Sequence, residues 1–238
     1  MNIILFEQMP LSNRIPTDDF RGQHIRKVLH LATGDTFTMG VVNGVWGIAT
    51  ITAMGTDGIR YRFEEKGKSE PLYPVTLLVA QVRPICMKRI LREAVSLGVR
   101  SIMVVGADTA ERSYAEAKLW STGEYRKYLL DGAMQSGKTA IPQFSMVDSV
   151  DLACRNPDQW QTRLLLDNVT EGEPLSQLQS PATPVVLAVG PERGWSGRER
   201  LVFDNAGFSH HSLGTRVLRT ETACSAGLAV LMGRMGIL

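Results

Sequence analysis

Between Gly190 and Gly227 the chain reads GPERGWSGRERLVFDNAGFSHHSLGTRVLRTETACSAG, and this stretch holds the residues best spaced to do chemistry. Two glycine-rich turns, GPERG and SLGTR, each follow a β-type run and precede a helix-type run. Glycine lets a backbone approach a ligand closely or adopt positive φ, and cofactor loops use both. After the second turn Arg219 and Glu221 flank Thr220 at a predicted helix start, so a cation and a carboxylate stand beside the glycines. Two such turns at the ends of adjacent strands, with a charged pair next to the second, point to a small-ligand site.

Two common phosphate loops are excluded. A dinucleotide fingerprint GxGxxG follows the first strand of an α/β domain, but here that strand leads into Gln81-Val82-Arg83-Pro84. Gly132–Thr139 reads GAMQSGKT and meets the GxxxxGK[ST] spacing through Gly132, Gly137, Lys138 and Thr139. A phosphate-binding loop of that kind must leave a strand and start a helix. This one closes a helix-type segment and runs into Ile141-Pro142, so Gly137 is expected to be a helix stop.

The elements that must position the site alternate. Val75–Val82, Ser101–Val105, Arg163–Leu166 and Pro184–Val189 are apolar strand-type runs. Pro84–Leu97, Glu116–Met134 (interrupted near Gly123), Gly197–Asn205 and Glu221–Met235 are helix-type, with Gly98 stopping the first. Strands alternating with helices predict an α/β domain with a mostly parallel sheet covered on both faces. Ligands bind outside the carboxyl ends of such strands, where loops begin at Gly106, Asp167, Gly190 and Leu213.

Residues 1–70 have a different texture. Asp35–Met39, Gly47–Ile51 and Ile59–Phe63 alternate in polarity and are separated by Asn43-Gly44 and Asp57-Gly58, which are hairpin signals. They predict a small β barrel. Asp19–Leu31 reads as a helix with Ile25, Val28 and Leu29 on one face and Arg21, His24, Arg26 and Lys27 on the other. The second face is either plainly solvated or a contact for a nucleic-acid backbone. The polar segment Glu64–Pro74 marks the expected boundary between domains 1–70 and 71–238.

Composition narrows the class without naming a partner. The chain has 238 residues, 44% apolar and 21% charged, with a net charge of +2. Residues 1–70 carry eight basic and eight acidic residues, so any basic face is local. The run Met1–Phe6 ends at Glu7 without a basic segment before it, unlike a secretory signal. No apolar run approaches the ~18 residues that span a bilayer. Cys86, Cys154 and Cys224 are odd in number and far apart, with no zinc spacing. Free thiols, no metal, no membrane and a cytoplasmic location are therefore expected.

Four blocks together carry a resemblance: GPERGWSGRE, LGTRVLRTETA, AERS at Ala110–Ser113 and AMQSGK at Ala133–Lys138, with His24, Val28, Leu29, Gly34 and Asp35 matching an N-terminal pattern. In order and spacing the sequence resembles the ribosomal RNA uridine-N3 methyltransferase family (RsmE-like) over nearly its whole length. The resemblance implies a SPOUT-type C-terminal domain with a trefoil knot, preceded by a PUA-like β barrel that binds RNA, in a homodimer acting on 16S rRNA of the small subunit. It places S-adenosylmethionine, the methyl donor, among Leu166, Asp167, Gly190, Pro191, Glu192, Gly194, Leu213, Gly214, Val217 and Leu218. Arg219 would stabilise the anion developing on uracil and Glu221 would take the N3 proton, with Arg216 close behind. Glu221 could instead only cap the last helix. Arg21, His24, Arg26, Lys27, Arg112, Gln135 and Lys138 are the implied RNA contacts.

Three positions depart from the family pattern: Arg193 for a glycine, Met134 for a glutamate and Lys138 for an arginine. If residue 193 needs positive φ, arginine there carries a strain of about 1 kcal/mol or more. A knotted ribose 2′-O-methyltransferase and an inactive RNA-binding assembly factor are the competing expectations.

Overall fold

The alternating runs before residue 70 and the continuous apolar runs after it build two different sheets. The computed structural model describes residues 2–10 and 12–238. Met1, the start of the run weighed as a signal, and Leu11 lie outside the described residues. By its contacts the chain forms two units: the first extends to Pro71 and takes back Ala133–Ile141, and the second holds the rest.

The first unit contains β1 (Ile4–Phe6), β2 (Arg14–Pro16), α1 (Phe20–Lys27), β3 (Thr36–Val41), β4 (Val45–Gly55) and β5 (Gly58–Lys68). Its sheet has the order β1-β3-β4-β5-β2, with β1 parallel to β3 and the other pairs antiparallel. The long β4–β5 pair changes register between Trp46 and Gly47 and between Ile51 and Ala53. Such irregularities sharpen the twist, and the sheet curls around Phe6, Ile15, Ile25, Met39, Ile51, Ile59 and Tyr61.

Three expectations for this half are corrected. The helix stops at Lys27 rather than Leu31, because Val28 and Leu29 both donate backbone N–H to the His24 carbonyl and His30 then takes φ 53°. Val28 is consequently 60% exposed instead of buried. Gly55 pairs with Gly58, so Thr56 and Asp57 form the turn. Glu64–Lys68 is the end of β5 rather than linker.

The second unit contains β6 (Tyr73–Ala80), α2 (Pro84–Ser96), β7 (Val99–Val105), α3 (Lys118–Ser121), α4 (Tyr125–Ser136, whose last four residues go with the first unit), β8 (Gln143–Val147), α5 (Val150–Ala153), β9 (Thr162–Leu166), β10 (Glu173–Pro174), β11 (Val185–Val189), α6 (Gly197–Asn205), β12 (Ser209–Ser212) and α7 (Thr220–Arg234). Every pair in its seven-stranded sheet is parallel, in the order β10-β12-β9-β11-β6-β7-β8. Gly98 and Gly137 end α2 and α4 at φ +82° and +74°. One face of the sheet packs Leu78, Ala80, Val186 and Ala188 against Val150, Trp195 and Phe203 from the α5–α6 side. α7 packs with α2 and contacts β6 and β11.

The first turn of α6 fixes the loops at the carboxyl edge of this sheet. Ser196 and Glu199 form a reciprocal capping box, a device contributing about 1 kcal/mol. Glu199, fully buried, also accepts the backbone N–H of Asp108 at 2.8 Å. Asp108 in turn holds Ser196 and Arg198, and Thr109 donates to the Gly194 carbonyl at 2.6 Å. Next along the helix, Arg200 grips Asp167 through Nε at 2.6 Å and Nη2 at 3.1 Å. The Asp167 carboxylate additionally accepts the backbone N–H groups of Asn168, Val169 and Thr170. Burial alone would raise the Asp167 carboxyl, but Arg200 and these donors bring it down from 3.8 to about 2.

Because the folded value lies below the unfolded one, this pair stabilises the fold above pH ~4 by on the order of 2 kcal/mol, and the contribution fades as pH falls toward ~2. Asp167→Asn should cost about 3 kcal/mol by stranding Arg200 and remove that step from a urea-unfolding series run against pH. Gly106 tests the neighbouring loop: a Cβ there would lie 2.2 Å from the Asp148 carbonyl oxygen. Gly106→Ala should lower stability by roughly 2 kcal/mol, read as a drop in Tm.

Candidate active site

Five loops leave the carboxyl ends of β6, β7, β9, β11 and β12 and enclose a cavity of about 570 Å³. That is the size range of a small-molecule site. Every residue expected at a cofactor lines it: Leu166, Asp167, Gly190, Pro191, Glu192, Gly194, Leu213, Gly214, Val217 and Leu218. Arg216, Arg219 and Glu221 line it as well. Residues from sequence positions as far apart as 83 and 223 thus meet in one place because the parallel strands all end on one edge.

Local sequence explains each wall. In GPERG the chain turns over Pro191–Gly194, closed by the Gly194 N–H donating to the Pro191 carbonyl at 2.8 Å. The left-handed residue of this turn is Gly194, at φ +70°, and not Arg193. The strain expected for arginine at 193 is therefore absent. Asp167 lines the cavity while its carboxylate holds Arg200 and the 168–170 backbone. Glu192 accepts the Arg83 N–H at 3.4 Å, while Arg83 Nε donates to the Tyr114 hydroxyl at 3.2 Å, tying the β6, β7 and β11 loops together.

On the third side, Arg219 is the N-cap of α7 but makes no side-chain cap, and Glu221 lies in the first turn. The Glu221 side chain is 12% exposed, stands 4.0 Å from Arg89 Nη1 and lines the cavity from the first turn of α7, where a carboxylate also suits the helix dipole. Burial and the Glu221 carboxylate beside it push the Cys86 thiol up from its ordinary range. His211, buried on the same wall, engages the Glu173 carbonyl and the Ser209 hydroxyl, and burial pushes its pKa down.

Sequence reasoning did not single out Arg83, Cys86, Thr109, Tyr114 or Trp195, all of which line the cavity. The strand-end rule could have found two of them: Arg83 follows β6 directly, and Thr109 lies in the loop after β7. Trp195 presents an indole Nε1 that is buried, without a hydrogen-bond partner, and 3.2 Å from where a Cβ on Gly190 would sit.

Of the expected RNA contacts, Arg112 alone belongs to the unit that holds the cavity. Arg112 is exposed on a single helical turn beside cavity residues Glu111 and Tyr114. The others belong to the first unit, where the side chains of Arg21, Arg26 and Lys138 are occupied. Arg21 chelates Asp19, donates to the Leu5 carbonyl and covers the Phe6 ring at 4.1 Å. Arg26 donates to the carbonyls of Gly55 and Gly58. His24 buries Nε2 without a partner. Lys138 pairs with Glu70 at 2.7 Å, and Gln135 accepts the Asn2 amide through its backbone carbonyl. Only Lys27 of the α1 face stands exposed. The anticipated free basic stripe on α1 is thus largely consumed in holding the first unit together.

Known proteins share this architecture. Residues 68–232 match the family described as RNA methyltransferase domain. A ribosomal RNA small subunit methyltransferase E of Treponema pallidum is 36% identical over 98% of this chain and 91% of its own length. A counterpart from Borreliella burgdorferi is 27% identical over 99% of both. Among solved structures, the Neisseria gonorrhoeae methyltransferase E bound to S-adenosyl methionine superposes with a TM-score of 0.78 at 23% identity, covering 98% of this chain and 97% of that one. A probable rRNA methyltransferase of Porphyromonas gingivalis gives 0.82 at 20% identity, covering 99% of both. With its sequence matched along nearly its full length, the chain belongs to the RsmE-like family of RNA methyltransferases.

Proposed function

We propose that this chain methylates N3 of a uridine in 16S ribosomal RNA, using S-adenosylmethionine as donor. The single observation that carries the reading is the 570 Å³ cavity, where both glycine turns meet Arg216, Arg219 and Glu221. The residues fit the donor: Leu166, Val189, Leu213 and Leu218 offer an apolar slot, and Gly190 and Gly194 add no side chain to it. The orphaned Trp195 N–H adds an unsatisfied donor in that wall. Bound there, S-adenosylmethionine supplies an electrophilic methyl group on a sulfonium centre.

The chain's own residues would do the rest. Uracil N3 carries a proton at neutral pH, and losing it leaves negative charge on the ring oxygens. Arg219, exposed at the cavity and hydrogen-bonded to no other side chain among the described residues, is free to meet that charge. One such contact in a water-poor site contributes about 3 kcal/mol. Glu221 would accept the N3 proton as the N3–methyl bond forms and the sulfur–methyl bond breaks. The N3 edge is reachable only in an unpaired or everted base, and exposed Arg112 and Lys27 are the RNA-contact candidates whose charges remain free.

The reading includes a PUA-like front domain, a homodimer, a cytoplasmic location and a trefoil knot. For the knot, the support is topological. β11 sits between β9 and β6, yet the chain leaves β12 on the far side of β9 and returns as α7 against α2, β6 and β11.

Calorimetry should detect S-adenosylmethionine binding to the purified protein, and its clear absence would end this reading. Arg219→Ala and Glu221→Gln should each keep donor affinity within about tenfold, ~1.4 kcal/mol, while lowering turnover by roughly 100-fold. Mass spectrometry of digested small-subunit rRNA after reaction should give N3-methyluridine. A ribose-methylated nucleoside would favour the 2′-O reading, and no product with bound RNA would favour the assembly factor.

A further inference from the structure

We propose that Arg193 grips a backbone phosphate of the RNA next to the target nucleotide, acting with Arg216 at the mouth of the cavity. The proposal rests on the methyltransferase reading above. Both side chains line the mouth and both are exposed. Among the described residues neither guanidinium donates to a carboxylate or a carbonyl. The four acids in the cavity lining have other partners: Glu192 accepts the Arg83 N–H, Glu221 stands toward Arg89, Asp167 holds Arg200, and Glu111 accepts the Ser113 hydroxyl.

An arginine left without a partner on a tight turn gains nothing for the fold. Arg193 does not shape the turn either, since Gly194 carries the positive φ and the Gly194 N–H closes it. What Arg193 adds is a planar fork of donors on the exposed part of the cavity lining. Such a fork matches two oxygens of a phosphate. A carboxylate on the amino-acid end of the methyl donor has similar chemistry. The exposed position of Arg193, outward of the glycine wall, favours the phosphate.

The test uses unmodified small-subunit rRNA transcribed in vitro, bound to the full chain by filter binding across a salt series. Calorimetry with S-adenosylmethionine alone runs in parallel. Arg193→Gln should weaken RNA binding roughly three- to tenfold at low salt and reduce the slope of log affinity against log salt by about 0.7. Arg193→Lys should restore the slope while recovering only part of the affinity, because lysine keeps the charge and loses the fork. Donor affinity should stay within about twofold in both variants. An unchanged salt slope in Arg193→Gln overturns the proposal. So does a selective loss of donor affinity, which would assign the guanidinium to the donor's carboxylate. Failure of the unsubstituted protein to bind the donor at all would instead sink the methyltransferase reading on which the proposal stands.

Discussion

Two adjacent residues on the first turn of α6, Glu199 and Arg200, hold the cavity's loops in place. Glu199 reaches the backbone of the β7 loop through the Asp108 N–H, and its helix cap ties in Ser196 after the GPERG turn. Arg200 reaches the opposite side and fixes the turn after β9 through Asp167. A buried carboxylate is costly unless its oxygens are hydrogen-bonded, and both acids here are saturated by backbone N–H groups or a guanidinium. The loops themselves bury few apolar side chains: 168–171 is exposed throughout, as is 214–217. Their shape therefore depends on these polar anchors more than on packing, and a change at α6 should be felt at the ligand before it is felt in the core.

The same arrangement divides charge by location. Anions that hold the frame are interior or paired: Glu199 is fully buried and the Asp167 side chain is 1% exposed. Among the described residues, three arginines of the cavity lining, Arg193, Arg216 and Arg219, donate to no carboxylate or carbonyl. A net charge of +2 gives no hint of such a focus, because the focus comes from how acids and bases are paired and not from their totals. The α1 face shows the converse. Its arginines read in the sequence as either a solvated face or a nucleic-acid contact, yet Arg21 and Arg26 spend their donors on Asp19, Leu5, Gly55 and Gly58.

The second unit was the more legible half. Parallel strands buried on both faces, such as Leu77–Ala80 and Val185–Val189, appear as unbroken apolar runs. Glycines at the ends of α2 and α4 mark stops that only a positive φ explains. The strand-end rule then located the cavity from the loops at 106, 167, 190 and 213. What stayed hidden has physical reasons. β8 is an edge strand with no fully buried residue, and Glu64–Lys68 of β5 is mostly exposed, so neither shows an apolar face. The Asp167–Arg200 pair spans 33 residues, and no local pattern announces it. Nor does any periodicity reveal that Ala133–Ile141 returns to the first unit, where Asn43 meets Thr139 and Ile141, and Lys138 meets Glu70.

The GPERG turn shows how one backbone angle decides what a side chain is free to do. A glycine in a signature is readily taken as a requirement for positive φ, which would make arginine at 193 a defect. Here the left-handed angle falls one residue later, on Gly194, and residue 193 has an ordinary conformation. Backbone geometry therefore places no demand on position 193, and its side chain projects into solvent beside the cavity. A position released from shaping the turn can acquire chemistry without loss to the fold. That leaves the glycines at 190 and 194 as the backbone-critical ones, and makes residue 193 the point on this wall where a substitution can change recognition without disturbing the pocket.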